Sequence, residues 1–309
     1  MMRLIFAGSP EIAIPSLNAL STAGHEIALV ITREDSPFGR KGILTPTPVG
    51  KVANDLNLPI LKANRISEHR TRIEAANADL GVIVAYGGLI PRDLLVVPKF
   101  GWINLHFSLL PRWRGAAPVQ HAILNGDEIT GACVFQLVEK LDAGPIFGSV
   151  TQPIGRNETA GHLLSALSNS GSSLLVKVVE AISNGAAKAV EQQGDVTLAP
   201  KFLAEDARID WRHSAARIDK QIRACTPEPG AFTTIAGSRL KILEAQIDRD
   251  GPRLSPGEIR GPKEVMIGTG TDPVALKLVQ PSSKSPMKAA DWLRGHTGEM
   301  KADINRLNE

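Results

Sequence analysis

Asn104 and His106 lie two residues apart in Trp102-Ile103-Asn104-Leu105-His106, where apolar and polar residues alternate. A period of two puts both polar side chains on one face of a strand. A stiff, basic turn follows at once, with Pro111, Arg112, Trp113, Arg114 and Pro118. Further along, Asp142 sits in Leu141-Asp142-Ala143-Gly144-Pro145. An amide donor, an imidazole and a carboxylate are the groups needed to stabilise an oxyanion and to move a proton.

The elements around these residues alternate between strand and helix. Arg3 to Ala7 reads as a buried strand stopped by Gly8-Ser9-Pro10, and a helix is predicted from Pro10 to about Ala23. Strands are predicted at Glu26 to Thr32, Leu80 to Ala85, Trp102 to His106 and Thr130 to Gln136, with helices at Ser67 to Ala78 and about Ala116 to Asn125. Thr159 is the expected cap of a long helix ending near Ser183, before Asn184-Gly185. Strand–helix alternation with continuous apolar strands predicts a doubly wound, Rossmann-like α/β domain. Such sheets take ligands at the carboxyl ends of their strands, where Gly8, Tyr86-Gly87 and Asn104 to His106 fall. After a linker from 186 to 203 the pattern changes. One helix, Ala215 to Ala224, precedes short β-rich runs at Ala231–Ile235, Arg239–Ala245, Glu264–Ile267 and Ala275–Val279. That spacing predicts a small, OB-like β-barrel. The expected division is 1–185, a linker over 186–203, and 204–309.

Composition excludes more than it assigns. The 309 residues carry 35 Lys plus Arg against 32 Asp plus Glu, a formal charge of +3, so any nucleic-acid contact must be argued locally. The uncharged run Leu80 to Pro91 is too short to span a bilayer, and the opening residues lack the apolar core of a secretory signal. A cytoplasmic protein, without membrane contact and monomeric, is expected. Two cysteines, Cys133 and Cys225, give neither a disulfide framework nor a zinc signature, and no metal is expected. Gly8-Ser9-Pro10 is not a dinucleotide fingerprint, which argues against NAD.

The run Ser108-Leu109-Leu110-Pro111-Arg112-Trp113-Arg114-Gly115-Ala116-Ala117-Pro118, preceded by Asn104 and His106 and followed by Asp142, resembles the methionyl-tRNA formyltransferase family. Phe6-Ala7-Gly8-Ser9-Pro10, Val84-Ala85-Tyr86-Gly87, Ala199-Pro200-Lys201, Ala207-Arg208-Ile209-Asp210-Trp211 and Ile222-Arg223-Ala224 extend the likeness over most of the chain. The resemblance implies transfer of a formyl group from 10-formyltetrahydrofolate to the amino group of methionine on initiator tRNA, for translation initiation. It implies catalytic roles for Asn104, His106 and Asp142. Asn104 would donate to the oxyanion. Asp142, as a nearby anion, would favour the imidazolium form of His106 and orient its ring. Either His106 or Asp142 could take the amine's proton first.

The resemblance also implies folate contact at Ser108, Leu109, Leu110 and Pro111, and at Tyr86 and Gly87. It places Arg40 and Lys41 on a basic loop that meets the tRNA acceptor stem. Family loops carry two lysines after Arg-Gly, whereas this chain reads Arg40-Lys41-Gly42-Ile43. In the second domain Arg208, Lys220, Arg223, Arg239 and Lys241 are candidate tRNA-backbone contacts. The alternatives are a formyltransferase acting on a sugar-nucleotide or glycinamide-ribonucleotide amine, a formyltetrahydrofolate hydrolase, and an inactive tRNA-binding module. Asn104, His106 and Asp142 fit all the enzymes. The basic loop and the second domain favour the tRNA reading.

Overall fold

The structure is a computed structural model that describes residues 1–39, 42–261, 264–295 and 301–303. It divides into two compact units. The first comprises 1–118, 129–153 and 164–200; the second comprises 119–128, 154–163 and the described residues from 201 onward.

The first unit is built on a seven-stranded sheet. In spatial order its strands are Ile146–Pro153, Ile129–Gln136, Trp102–His106, Leu80–Val84, Arg3–Gly8, Glu26–Thr32 and Ile60–Lys62. The five from Trp102–His106 to Ile60–Lys62 pair in parallel. The other two join antiparallel. Chain order reverses between Arg3–Gly8 and Leu80–Val84, the topological switch point at which doubly wound sheets open a ligand crevice. Both faces of the sheet are covered, as its uninterrupted apolar strands require. One face carries Ile5, Ala7, Ile31, Ile83, Tyr86 and Trp102. On the other, Gly171 of the long helix Ala160–Ser183 lies so close to Leu105 that a side chain there would meet Leu105 at 3.0 Å.

Several boundaries differ from the sequence reading for local reasons. The helix expected over 10–23 is a 3-10 turn, Glu11–Ala13, followed by Ile14–Thr22, because Pro15 fits only the first turn of a helix. The one expected over 67–78 is likewise Ile66–His69 plus Arg70–Ala75. The strands Ile60–Lys62 and Ile146–Pro153 were not foreseen: the first is three residues long, and the second is an edge strand with little apolar content. Residues 186–199 are not a free connection. Val190 exchanges backbone hydrogen bonds with Ile146 at 2.8 and 2.9 Å, and Leu198–Ala199 pairs in parallel with Arg114–Gly115.

The second unit holds the helix Ala215–Cys225, capped by Ser214, and a six-stranded antiparallel sheet. Its central strands, Ser238–Ile247 and Val274–Pro281, pair with register shifts near Glu244 that bend the ladder into a half-barrel. Phe232–Ile235 and Ile259–Arg260 lie at the two ends of the strand path, and residues 301–303 bridge them: Ala302 pairs with Ile235 and Lys301 with Glu258, in keeping with the expected small barrel. Trp211, Ile218, Ile222, Leu240, Ile242, Val279 and Trp292 form its core. The buried Trp211 Nε1 donates to Thr233 Oγ1 at 3.0 Å, as a buried indole requires.

Candidate active site

Asn104 and His106 leave the sheet side by side on the carboxyl half of Trp102–His106. Asn104 is half-buried and lies opposite Ile83 on one neighbouring strand and Phe135 on the other, while His106 lies opposite Cys133. The His106 ring is 6 % exposed and meets the Phe135 ring edge-on, with centroids 6.3 Å apart. Its Nε2 is 2.9 Å from the Trp113 carbonyl. A carbonyl only accepts, so Nε2 carries the hydrogen and the neutral ring keeps its lone pair on Nδ1. Asp142 Oδ2 lies 3.9 Å from that Nδ1, too far for a hydrogen bond but within electrostatic reach.

Asp142 pulls the His106 pKa upward, the direction expected of a nearby anion, but it is not the dominant influence. Burial lowers the imidazole pKa, and outweighs the opposing pull of Asp142 and of the Trp113 carbonyl. The resting ring is neutral, with both groups in place to stabilise a proton when one arrives. Burial also pushes the neighbouring Cys133 thiol up to about 12, so it remains protonated.

The loop after His106 is bonded to itself and to the 186–199 segment. Ser108 is fully buried and its hydroxyl donates to the Arg112 carbonyl at 2.6 Å. Leu110 packs with Cys133 and Phe135, while Leu109 approaches Gly131 and stays half-buried. Trp113 N–H donates to Thr197 Oγ1 at 2.8 Å. Gly115 N–H donates to Asp142 Oδ2 at 2.8 Å, which ties the carboxylate to the loop. Gly115 has a φ of 126°, and a side chain there would meet the Ala199 carbonyl at 2.6 Å. Three non-glycine residues at the site, Ala85, Trp113 and Asp142, hold left-handed backbone at φ 49°, 63° and 44°. Each such residue costs about 1–3 kcal/mol and persists only where its surroundings impose it.

The switch-point crevice contributes Tyr86 and Gly87. The Tyr86 ring is buried and its hydroxyl donates to Ala63 O at 2.6 Å, so its side chain belongs to the core. Its carbonyl accepts from Ser9 Oγ at 3.1 Å. Gly87, at φ 79°, has open space where a side chain would stand, and Leu89 beyond it is 82 % exposed. Open backbone beside exposed apolar surface fits a flat heterocycle with polar edges.

Thus Asn104, His106 and Asp142 come together with Ser108 to Pro111 in the first unit, while Tyr86 offers backbone alone. Arg40 and Lys41 lie outside the described residues. They are flanked by the exposed strands Ser36–Phe38 and Ile43–Thr45, which pair as a hairpin. The sequence reading missed Gln192 and Thr197, which hold the loop; a lone polar residue in a mixed segment carries no periodic signal. Among the described residues no group of His, Cys, Asp and Glu could hold a metal ion. No helix among them is long and apolar enough to cross a membrane.

Comparison with known proteins matches residues 2–179 to the formyl transferase family and 201–297 to the formyl transferase C-terminal domain. The methionyl-tRNA formyltransferase of Clavibacter sepedonicus is 54% identical over 96% of this chain and 98% of its own. Two solved structures share the fold at low identity. HypX from Aquifex aeolicus, in complex with tetrahydrofolic acid, has a TM-score of 0.70 at 17% identity over 94% of this chain, which spans about half (47%) of the HypX chain. Methionyl-tRNA formyltransferase from Clostridium thermocellum has a TM-score of 0.57 at 16% identity, covering 81% of this chain and 96% of that one. A half-length match to the N-terminal family, a match to its C-terminal domain and a near-full-length relative at such identity agree: the chain belongs to the methionyl-tRNA formyltransferase family.

Proposed function

We propose that this protein transfers the formyl group of 10-formyltetrahydrofolate to the amino group of methionyl-initiator tRNA. The observation that carries the reading is a buried, neutral His106 with its basic Nδ1 facing Asp142, two residues beyond the half-buried Asn104. When an amine attacks a formyl carbonyl, negative charge develops on oxygen and a surplus proton stays on nitrogen. The Asn104 amide donates to that oxygen. His106 takes the proton at Nδ1, where the Asp142 carboxylate and the Trp113 carbonyl stabilise the resulting imidazolium. Collapse of the tetrahedral intermediate then breaks its bond to the folate N10, which leaves as tetrahydrofolate carrying that proton, and the amine keeps the formyl group. The polar edge of the folate meets backbone around Tyr86-Gly87 and Ser108 to Pro111, and its ring lies against Leu109.

In this reading residues 1–185 carry the formyl chemistry, 186–203 connect, and 204–309 bind tRNA together with the Arg40–Lys41 loop. The protein works as a cytoplasmic monomer away from membranes. In the second unit Arg223 is taken up by Asp219 and the Glu158 carbonyl. Arg208 and Arg239 both stack on the Phe232 ring, at 5.9 and 3.5 Å, and are the better candidates to meet phosphate.

The test offers 10-formyltetrahydrofolate with methionyl-initiator tRNA, beside an amino-sugar nucleotide and glycinamide ribonucleotide. Formyl transfer to the tRNA is the expected result. Preferential transfer to either small amine overturns the reading. Formate release without an acceptor points to a hydrolase, and tRNA binding without turnover to an inactive module.

A further inference from the structure

Gln192 joins the Arg114 loop to the Asp142 turn through its side chain. Its amide oxygen accepts from Arg114 Nε at 3.2 Å and from Arg114 Nη2 at 2.6 Å. Its amide nitrogen donates to the Asp142 carbonyl at 2.8 Å and to the Gly144 carbonyl at 2.9 Å. Both hydrogens and both lone pairs of the amide are therefore used. Only an amide satisfies the set: a carboxylate would turn an oxygen toward two carbonyls, and an apolar side chain would strand the 8 % exposed Arg114 and two carbonyls at once.

The bonds fall on either side of the Asp142 carboxylate. From the loop side, the residue after Arg114, Gly115, supplies the N–H that Oδ2 accepts. On the turn side, the bond to the Asp142 carbonyl holds a residue whose φ is 44°, a conformation it would not keep unaided. We infer that Gln192 is a positioning residue for formyl transfer, fixing Asp142 at its distance from His106. The inference rests on the proposed formyl transfer. Gln192 touches no reacting atom and acts only through the carboxylate. A displacement of about 1 Å at such a point can cost on the order of 100-fold in rate.

The experiment compares Gln192→Leu, Gln192→Glu and Asp142→Asn, singly and combined, with the exposed neighbour Gln193→Leu as control. Formylation of methionyl-tRNA is measured at saturating folate and tRNA, and the His106 imidazole is titrated by NMR in each protein. Gln192→Leu is expected to lower kcat about 10- to 100-fold with both KM values unchanged. Placed on Asp142→Asn it should cost little more, because its target is already lost. It should move the His106 titration in the direction that Asp142→Asn moves it, and Gln193→Leu should move neither. Losses that multiply with Asp142→Asn, a rise in KM alone, or an unmoved His106 titration would overturn the inference. If Gln192→Leu does not fold, Gln192→Glu keeps the shape and the Arg114 pair and is read by the same criteria. Absence of formylation by the unaltered protein sinks the functional reading instead, and the His106 titration alone then decides whether Gln192 governs Asp142.

Discussion

At the scale of single residues, the state of His106 follows from a contest between burial and charge. Burial prevails and the ring rests neutral. Since the proposed base is the neutral form, kcat should fall on the acid side only below the ordinary histidine range near 6.5. Asp142 pulls the imidazole pKa upward, so Asp142→Asn should shift that acid limb to still lower pH while slowing the reaction. A pH series on both proteins checks the sign; a limb that moves upward or stays fixed removes Asp142 from the mechanism. Loss of the Asn104 donor should cost about 100- to 1,000-fold in kcat, measured with Asn104→Ala at saturating substrates. His106→Ala should also lose most of its turnover while the fold is retained. Near-normal turnover in either variant would assign that residue to structure.

At the scale of elements, the site depends on the pairing of Leu198–Ala199 with Arg114–Gly115. Gly115 takes part in this pair, supplies the N–H that holds Asp142, and has a φ suited to glycine. Gly115→Ala should therefore destabilise the protein by about 2 kcal/mol and depress activity beyond the stability loss, because the added carbon meets the Ala199 carbonyl. Denaturant unfolding and kcat on the same preparation separate the two effects. An alanine variant with unchanged midpoint and rate would mean that the pair yields without consequence. The two cysteines give a second check on packing. Burial pushes both thiols up to about 12, so neither should react with iodoacetamide at neutral pH until the protein unfolds.

At the scale of the whole molecule, the proposed function assigns tRNA recognition and formyl chemistry to different parts of the chain. In sequence, Arg40 falls between the exposed strands Ser36–Phe38 and Ile43–Thr45, outside the described residues. If it grips the acceptor stem, Arg40→Ala should reduce kcat/KM for methionyl-tRNA and lower its salt slope by about one unit, leaving folate binding untouched. Equal kcat/KM for both proteins across a salt series would leave tRNA binding to the second unit. With Lys41-Gly42-Ile43 in place of the family's paired lysines, Arg40 should carry a large part of the loop's electrostatic grip.

The sequence alone determined what is periodic or local. Trp102–His106 and Glu26–Thr32 fall where their apolar patterns put them, and Thr159 immediately precedes the long helix Ala160–Ser183. The family was equally legible, because the run from Ser108 to Pro118 is contiguous and specific. Tertiary structure decided everything that depends on groups distant along the chain. It took the Tyr86 side chain into the core, bridged the end strands of the second sheet through residues 301–303, and bound the 186–199 segment to the Arg114 loop. It also set the protonation of His106, since burial is a property of the folded surroundings and not of residue type. Gln192 was invisible for the same reason: its meaning lies in four hydrogen bonds to residues about 50 and 78 positions away.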